Sequence, residues 1–315
     1  MLRRAATVIL ALLVLAAPAR GQTWDVPRAP AAVALAGHAV TWLQPGRERT
    51  DLYVATPGGA PRRVERLAAA DAVDLAASAS RTAVAVRNGD GFRVLAGSVG
   101  SRLTRVASCA AAAAEPWVDV SGDRVAYPRC DGRLAVRDLG HGGPDLVFGA
   151  SVEDAQIAGR FVAWIERGGS EPPRVVVHDT AEGVDAYSFP ADGVSELTLQ
   201  ANGKVAFVLD SGPSGLKELG WATPRQPRAN RLDIANRFAY RPRMAGGRVV
   251  FGRDRAKSTD DGGRELGIVA PWSPHARILS RQLTATGAVD FDGQTIAYAE
   301  RRAHGAAIRT RKPQP

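Results

Sequence analysis

Gly159-Arg160-Phe161-Val162-Ala163-Trp164 decides the fold, because the same short phrase returns throughout the chain. Aligned on the closing aromatic, it reads Val40-Thr41-Trp42, Val125-Ala126-Tyr127, Val162-Ala163-Trp164, Val205-Ala206-Phe207, Val249-Val250-Phe251 and Ile296-Ala297-Tyr298, with an aliphatic copy at Val84-Ala85-Val86. Five residues before each aromatic stands Gly37, Gly122, Gly159, Asn202, Gly246 or Gly293. These residue types accept positive φ, so each copy reads as a tight turn feeding a buried strand.

The copies are 37 to 47 residues apart. That period belongs to solenoids, propellers or arrays. Alternating, β-branched segments follow each phrase, among them Asp51 to Val54, Phe92 to Leu95, Leu134 to Arg137, Arg174 to Val177, Leu216 to Leu219, Glu265 to Val269 and Ala307 to Arg309. Fourth strands are expected at Arg62 to Leu67, Arg102 to Val106, Asp145 to Phe148, Ala186 to Phe189, Arg231 to Ile234 and Arg277 to Leu283. Four strands per repeat without a helical period define an all-β propeller of seven blades. Six blades is the alternative, because the second copy lacks both the turn Gly and the aromatic. The seventh copy runs out after its third strand, and Thr23-Trp24-Asp25-Val26 is expected to supply the missing strand and close the ring.

Residues 1–19 or 1–21 read as a secretory signal peptide: a basic start at Arg3 and Arg4, an apolar run from Ala5 to Ala17 too short to span a bilayer, and small residues at the exit. A single propeller domain then occupies 22–315, and the expected location is extracellular or periplasmic. Cys109 and Cys130, the only cysteines, are expected to form one disulfide in an oxidising compartment. The formal charge of +9 falls to +7 or +6 after cleavage, and only four of the 41 basic residues are Lys. Arginines scattered through every repeat, with no stripe of interleaved aromatics, argue against nucleic-acid binding.

Phe291-Asp292-Gly293-Gln294-Thr295-Ile296-Ala297-Tyr298 resembles the repeat of the TolB-type propellers, in which an Asp-Gly turn precedes an Ile-Ala-aromatic strand; Val120 to Tyr127 is a looser copy. The periodicity is also WD-repeat-like. The Pro before Asp-Gly and the Ser-x-Arg-x-Gly stretch of the TolB type have no counterpart here. The resemblance implies an exported propeller that engages protein or peptide partners at one face or at the channel mouth, without catalysis.

No nucleophile elbow, metalloprotease helix, phosphate loop or Cys-rich metal motif occurs. His38, His141, His178, His275 and His304 fall in different repeats at unrelated positions, so no metal site is expected from them. Aligning the innermost strands instead places Ala34, Asp74, Asp119, Gln156, Thr198, Arg243 and Asp290 at one repeat position, where six of the seven are polar. The last six are channel-lining binding candidates. Three carboxylates on a common channel could hold a cation, with Arg243 as counter-charge, or each Asp could bond nearby backbone amides.

Smaller signals are the polar loop Lys257 to Glu265, the tip Leu209 to Gly215, and Trp221 and Trp272, which could anchor a partner or pack between blades. Together these features point to a monomeric, non-enzymatic binding or scaffold propeller for a protein, peptide or cell-envelope polymer. The alternative is a polysaccharide hydrolase or lyase using two of Asp74, Asp119 and Asp290 as an acid and base pair.

Overall fold

A computed structural model describes residues 21–67, 72–112, 115–168, 172–210, 216–232, 238–254, 263–270 and 275–313. The expected signal segment, the loop 257–262, the tip 211–215 and Trp272 lie outside the described residues. Among those described, every regular element is a β-strand, β1 to β28 in chain order.

Seven antiparallel blades form the ring. The first is β2 (Ala32–Ala36), β3 (Ala39–Pro45), β4 (Thr50–Ala55) and β5 (Arg62–Leu67); the second is β6 (Ala72–Ala77), β7 (Arg81–Asn88), β8 (Gly91–Ser98) and β9 (Thr104–Cys109). The third comprises β10 (Asp119–Ser121), β11 (Arg124–Pro128), β12 (Leu134–Asp138) and β13 (Leu146–Phe148), and the fourth β14 (Val152–Ala158), β15 (Phe161–Glu166), β16 (Arg174–Asp179) and β17 (Val184–Pro190). The fifth holds β18 (Val194–Leu199), β19 (Val205–Asp210), β20 (Lys217–Thr223) and β21 (Gln226–Leu232); the sixth holds β22 (Ala239–Ala245), β23 (Arg248–Asp254), β24 (Arg264–Val269) and β25 (Arg277–Leu283). The seventh is β26 (Val289–Phe291), β27 (Ile296–Arg302) and β28 (Gly305–Arg311), completed by β1 (Thr23–Val26), which pairs antiparallel with β28. A single pairing of Leu283 with Glu300 joins the sixth blade to the seventh.

The second repeat is a full blade without its Gly or aromatic. Its turn is built by side chains: the Arg81 N–H donates to Ser78 Oγ, the hydroxyls of Ser78 and Ser80 donate to the Gly122 carbonyl, and Arg81 Nε donates to Asp123 at 2.7 Å. In the fifth blade the outer strand is Gln226–Leu232, earlier than the sequence reading placed it. It tolerates Pro227 because an outermost strand need not offer every N–H to a neighbour.

The apolar core is distributed over the seven blade seams. Each phrase-ending side chain packs on the preceding blade: Val86 on the first, Tyr127 on the second, Trp164 on the third, Phe207 on the fourth, Phe251 on the fifth and Tyr298 on the sixth. Trp42 closes the circle against the seventh blade, where it meets Trp24, Val26, Ala299 and Ile308. The fit is steric as well as apolar. Gly220 faces Phe207 across β19 and β20, and a Cβ there would overlap the ring; at Gly267 a Cβ would lie 2.6 Å from Phe251 Cζ. Trp221 is half-buried within β20 and packs against the seam between the fifth and sixth blades.

The disulfide joins Cys109 to Cys130, with Cα atoms 5.4 Å apart. Cys109 closes the outermost strand of the second blade, so the bridge links that strand itself, rather than the following linker, to the loop after Tyr127 in the third blade. No helix among the described residues is long and apolar enough to cross a membrane.

Candidate functional site

The innermost strands β2, β6, β10, β14, β18, β22 and β26 surround the channel. Their register is uniform at one level: Ala34, Asp74, Asp119, Gln156, Thr198, Arg243 and Asp290 pair with Thr41, Ala85, Ala126, Ala163, Ala206, Val250 and Ala297. Each partner is the residue just before the phrase-ending side chain. All seven residues line one cavity of about 480 Å3, which opens at the face carrying the turns after the innermost strands, where His38, Asp292 and Gln294 form part of the rim. A shallower recess continues from Leu199, Met244 and Asp292 onto Asn202, Lys204 and Gly246.

The carboxylates do not stand free in this cavity. The Leu35 N–H of the first blade donates to Asp290 Oδ2 of the seventh at 2.7 Å, the Ile157 N–H donates to Asp119 Oδ2 at 2.7 Å, and the Met244 N–H donates to Thr198 Oγ1 at 3.1 Å. A second tier lies one or two residues before the ring position of the receiving blade. There the Val118 N–H donates to Asp74 Oδ2 and the Leu197 N–H to Asp154 Oδ2, both at 2.9 Å, and the Arg241 N–H donates to Glu196. Arg243 Nε lies 3.6 Å from Asp290 Oδ1, spanning the sixth and seventh blades. Among the described residues, side chains of the innermost strands therefore cross every seam of the ring except that between the first and second blades. There the first blade offers Ala34, which has no acceptor, and the seam is apolar around Leu43, Leu52, Leu75 and Val84.

Asp154, Glu196 and Arg241 have no place in the ring read from sequence. Each lies two residues before the ring position of its strand and beside a register shift, between Val152 and Asp154 in β14, between Ser195 and Thr198 in β18 and between Tyr240 and Arg243 in β22. A separation of two residues keeps each on the same side of its strand as the ring residue, and the bulge alters the course of the strand beside it. Glu196 and Arg241 sit at φ 50° and 48°. The signals were the adjacent polar pairs Glu153-Asp154 and Ser195-Glu196, which break alternation, and Pro242 inside a central strand.

Burial dominates the electrostatics. Asp119 and Asp154 are each pushed up to about 7 by desolvation, only partly offset by the backbone N–H groups they accept and by the positive charge of Arg243. Asp74 and Asp290 are also raised, again by burial first. Arg243 acts on all four carboxylates, from blades on different sides of the channel, so one guanidinium serves as their shared counter-charge. Arg241, from the same strand, reaches across toward the Ala31 carbonyl of the first blade at 3.5 Å.

The histidines are dispersed. His38 is on the rim, His141 Nδ1 lies 3.1 Å from Asp138, and His178 Nδ1 lies 2.9 Å from Asp185. Among the described residues no three His, Cys, Asp or Glu side chains are placed to hold a metal ion.

This architecture defines the class: an all-β propeller of seven blades. Comparison with solved structures agrees. The chain is similar to the β-propeller domain of the Trilobed protease from Pyrococcus furiosus, described as having an open velcro topology, with a TM-score of 0.64 and 10% identity, covering 90% of this chain and 95% of that one. It is similar to the WD40 domain of Toxoplasma gondii coronin, with a TM-score of 0.58 and 11% identity over 94% of this chain and 87% of the other. It also resembles puromycin hydrolase, with a TM-score of 0.60 and 15% identity, where 90% of this chain matches 53% of that protein. At these identities the likeness establishes the fold alone. No protein-family model matches the sequence, and no curated protein matches it.

Proposed function

We propose that this chain is an exported, non-enzymatic propeller that binds a protein, peptide or cell-envelope polymer through the channel mouth at the turn face. The observation that carries the reading is the open cavity of about 480 Å3 whose acids are already bonded to the neighbouring blade. The groups left for a partner are those of the rim: His38, Gln156, Asp292, Gln294 and the exposed part of Arg243. A polar cavity that continues into a recess over Gly246 suits an extended chain lying across the mouth better than a small enclosed substrate. The disulfide is compatible with export. The TolB-type reading of Phe291 to Tyr298 points to the same mode of action.

A polysaccharide hydrolase or lyase is the second reading. It needs two carboxylates free to exchange protons with a substrate, and Asp74, Asp119 and Asp290 are each engaged by amides of the next blade. The likeness to puromycin hydrolase supplies a propeller-bearing hydrolase as precedent, but that protein extends well beyond the matched part.

Immobilised wild-type chain and a rim variant carrying His38→Ala, Gln156→Ala and Gln294→Ala would be exposed to an envelope fraction and to defined peptides and polysaccharides. The expected result is retention of a partner by the wild type and its loss by the variant, with both folded. Release of reducing ends from a polysaccharide by the wild type, without retention of a partner, would overturn the binding reading in favour of the enzyme.

A further inference from the structure

Five acids, Asp74, Asp119, Asp154, Glu196 and Asp290, stand on the innermost strands of five different blades; Asp74, Asp119 and Asp290 line the channel cavity, and four of the five accept an amide from the next blade at 2.7 to 2.9 Å. Glu196 makes the fifth such bond, to the Arg241 amide. Facing them are two guanidinium groups, Arg241 and Arg243, both from β22. The first blade contributes Ala34 and no charge, and the remaining titratable groups at the mouth are His38 and Asp292. With every acid ionised, this half-buried ring would hold three more negative charges than positive ones, around seams that lean on the same carboxylates for alignment. Uncompensated buried charge is expensive, and a site of this kind relieves it by taking up protons.

We propose that this two-tier carboxylate belt is a proton-linked latch, in which protons taken up by the inner-strand acids relieve their mutual repulsion across the seams and their release as the pH rises loosens the ring. A protonated carboxyl keeps its carbonyl oxygen for the amide of the next blade, so the seam bonds survive protonation while the mutual repulsion disappears. The raised proton affinities of Asp119 and Asp154, caused chiefly by burial, set the window. Their folded values lie above that of an unfolded Asp, so the folded chain binds more protons. The stabilisation is therefore complete below about pH 4, where an unfolded Asp is itself protonated, and is lost as the pH rises through about 7. The latch is a property of the ring and holds whether or not the mouth binds a partner.

The test compares thermal unfolding at pH 5.5 and pH 8.5 for the wild type, for Asp119→Asn with Asp154→Asn, and for Asp123→Asn. The last removes an exposed carboxylate that Arg81 holds below the usual range, outside the window. An Asn retains the acceptor oxygen without the charge. The wild type and the Asp123→Asn control are expected to lose about 5 °C or more at the higher pH, and the double variant to lose much less. Amide exchange on the wild type gives a second readout, should the double variant not fold. After correction for intrinsic rates, protection of Val118, Ile157 and Leu197 should fall between pH 6 and pH 8. Equal pH dependence in the wild type and double variant, or pH-independent protection of those amides, would overturn the proposal.

Discussion

Asp154, not its strand neighbour Gln156, carries the bond from the fourth blade to the fifth: its Oδ2 accepts the Leu197 N–H at 2.9 Å, while the Gln156 amide donates only to the Ala155 carbonyl of its own strand. The two residues share a face of the strand with one position between them, and Asp154 is the one beside the bulge that follows Val152. Asp154→Ala leaves a buried amide without its acceptor, which costs about 1–3 kcal/mol. Gln156→Ala removes no bond between blades and should stay within about 0.5 kcal/mol of the wild type. Urea unfolding of the two variants at one pH checks the pair, and equal destabilisation would contradict the assignment.

Gly220 lies directly across from Phe207, and any side chain placed there competes with the ring for the same volume. Gly220→Val is expected to destabilise the chain by about 1–3 kcal/mol through overpacking. The double variant with Phe207→Leu should recover part of that loss, because the smaller side chain vacates the space. A double-mutant cycle by chemical denaturation reads the coupling directly. The same logic holds at Gly267 and Phe251, where the glycine again faces the aromatic across the sheet.

These relationships show where the sequence is informative. The phrase ending in Trp42, Tyr127, Trp164, Phe207, Phe251 and Tyr298 was readable because each blade must bury one large side chain against its predecessor, and that demand repeats with the blade. The ring from Ala34 to Asp290 was readable for a related reason: pairing with a fixed position of the phrase ties it to the most regular strand of each repeat. The alternative roles of its carboxylates turn on where each side chain points. Spacing cannot tell an Asp aimed at a neighbour's amide from one aimed at a ligand. Asp154, Glu196 and Arg241 stand two residues before the aligned ring position, where the other repeats carry Ala32, Ala72, Trp117 and Ala288, so no repeated polar signal marks that position. The second blade is the converse case, in which Ser78, Ser80 and Arg81 build by hydrogen bonding a turn that the other repeats obtain from Gly or Asn.

The disulfide lies on the outside of the seam that Asp74 crosses from within, between the second and third blades. Its loop of 21 residues predicts a stabilisation of about 3 kcal/mol from restricting the unfolded chain. Cys109→Ser with Cys130→Ser should lower the unfolding free energy by roughly that amount under oxidising conditions and abolish the response to reductant. Partner retention at the turn face should be unchanged in the folded variant, because neither Cys lines the mouth. Denaturation with and without reductant, followed by the retention assay, separates a staple from a redox control of binding. Loss of retention on reduction of a folded wild type would favour the control.

Closure of the ring rests on a strand from the other end of the chain. Trp24 in β1 is buried, its ring lies 6.5 Å from that of Trp42 in the first blade, and its Nε1 donates to the Gly59 carbonyl at 3.0 Å. One side chain thus completes the seventh blade and pins it to the first. On the channel side of the same seam, the belt contact is the Asp290 bond to the Leu35 amide. Trp24→Ala removes the aromatic packing and the indole bond together, and is expected to cost about 3–5 kcal/mol. Trp24→Phe keeps most of the buried area and should recover more than half of that loss. Because the change falls at the point of closure, amide protection should drop first in β28, which pairs with β1, and in β3, whose Trp42 packs on Trp24, and last in the fourth blade opposite. Exchange measured by peptide across the whole ring gives that order, and a uniform loss of protection would mean that the blades open together and not from this seam.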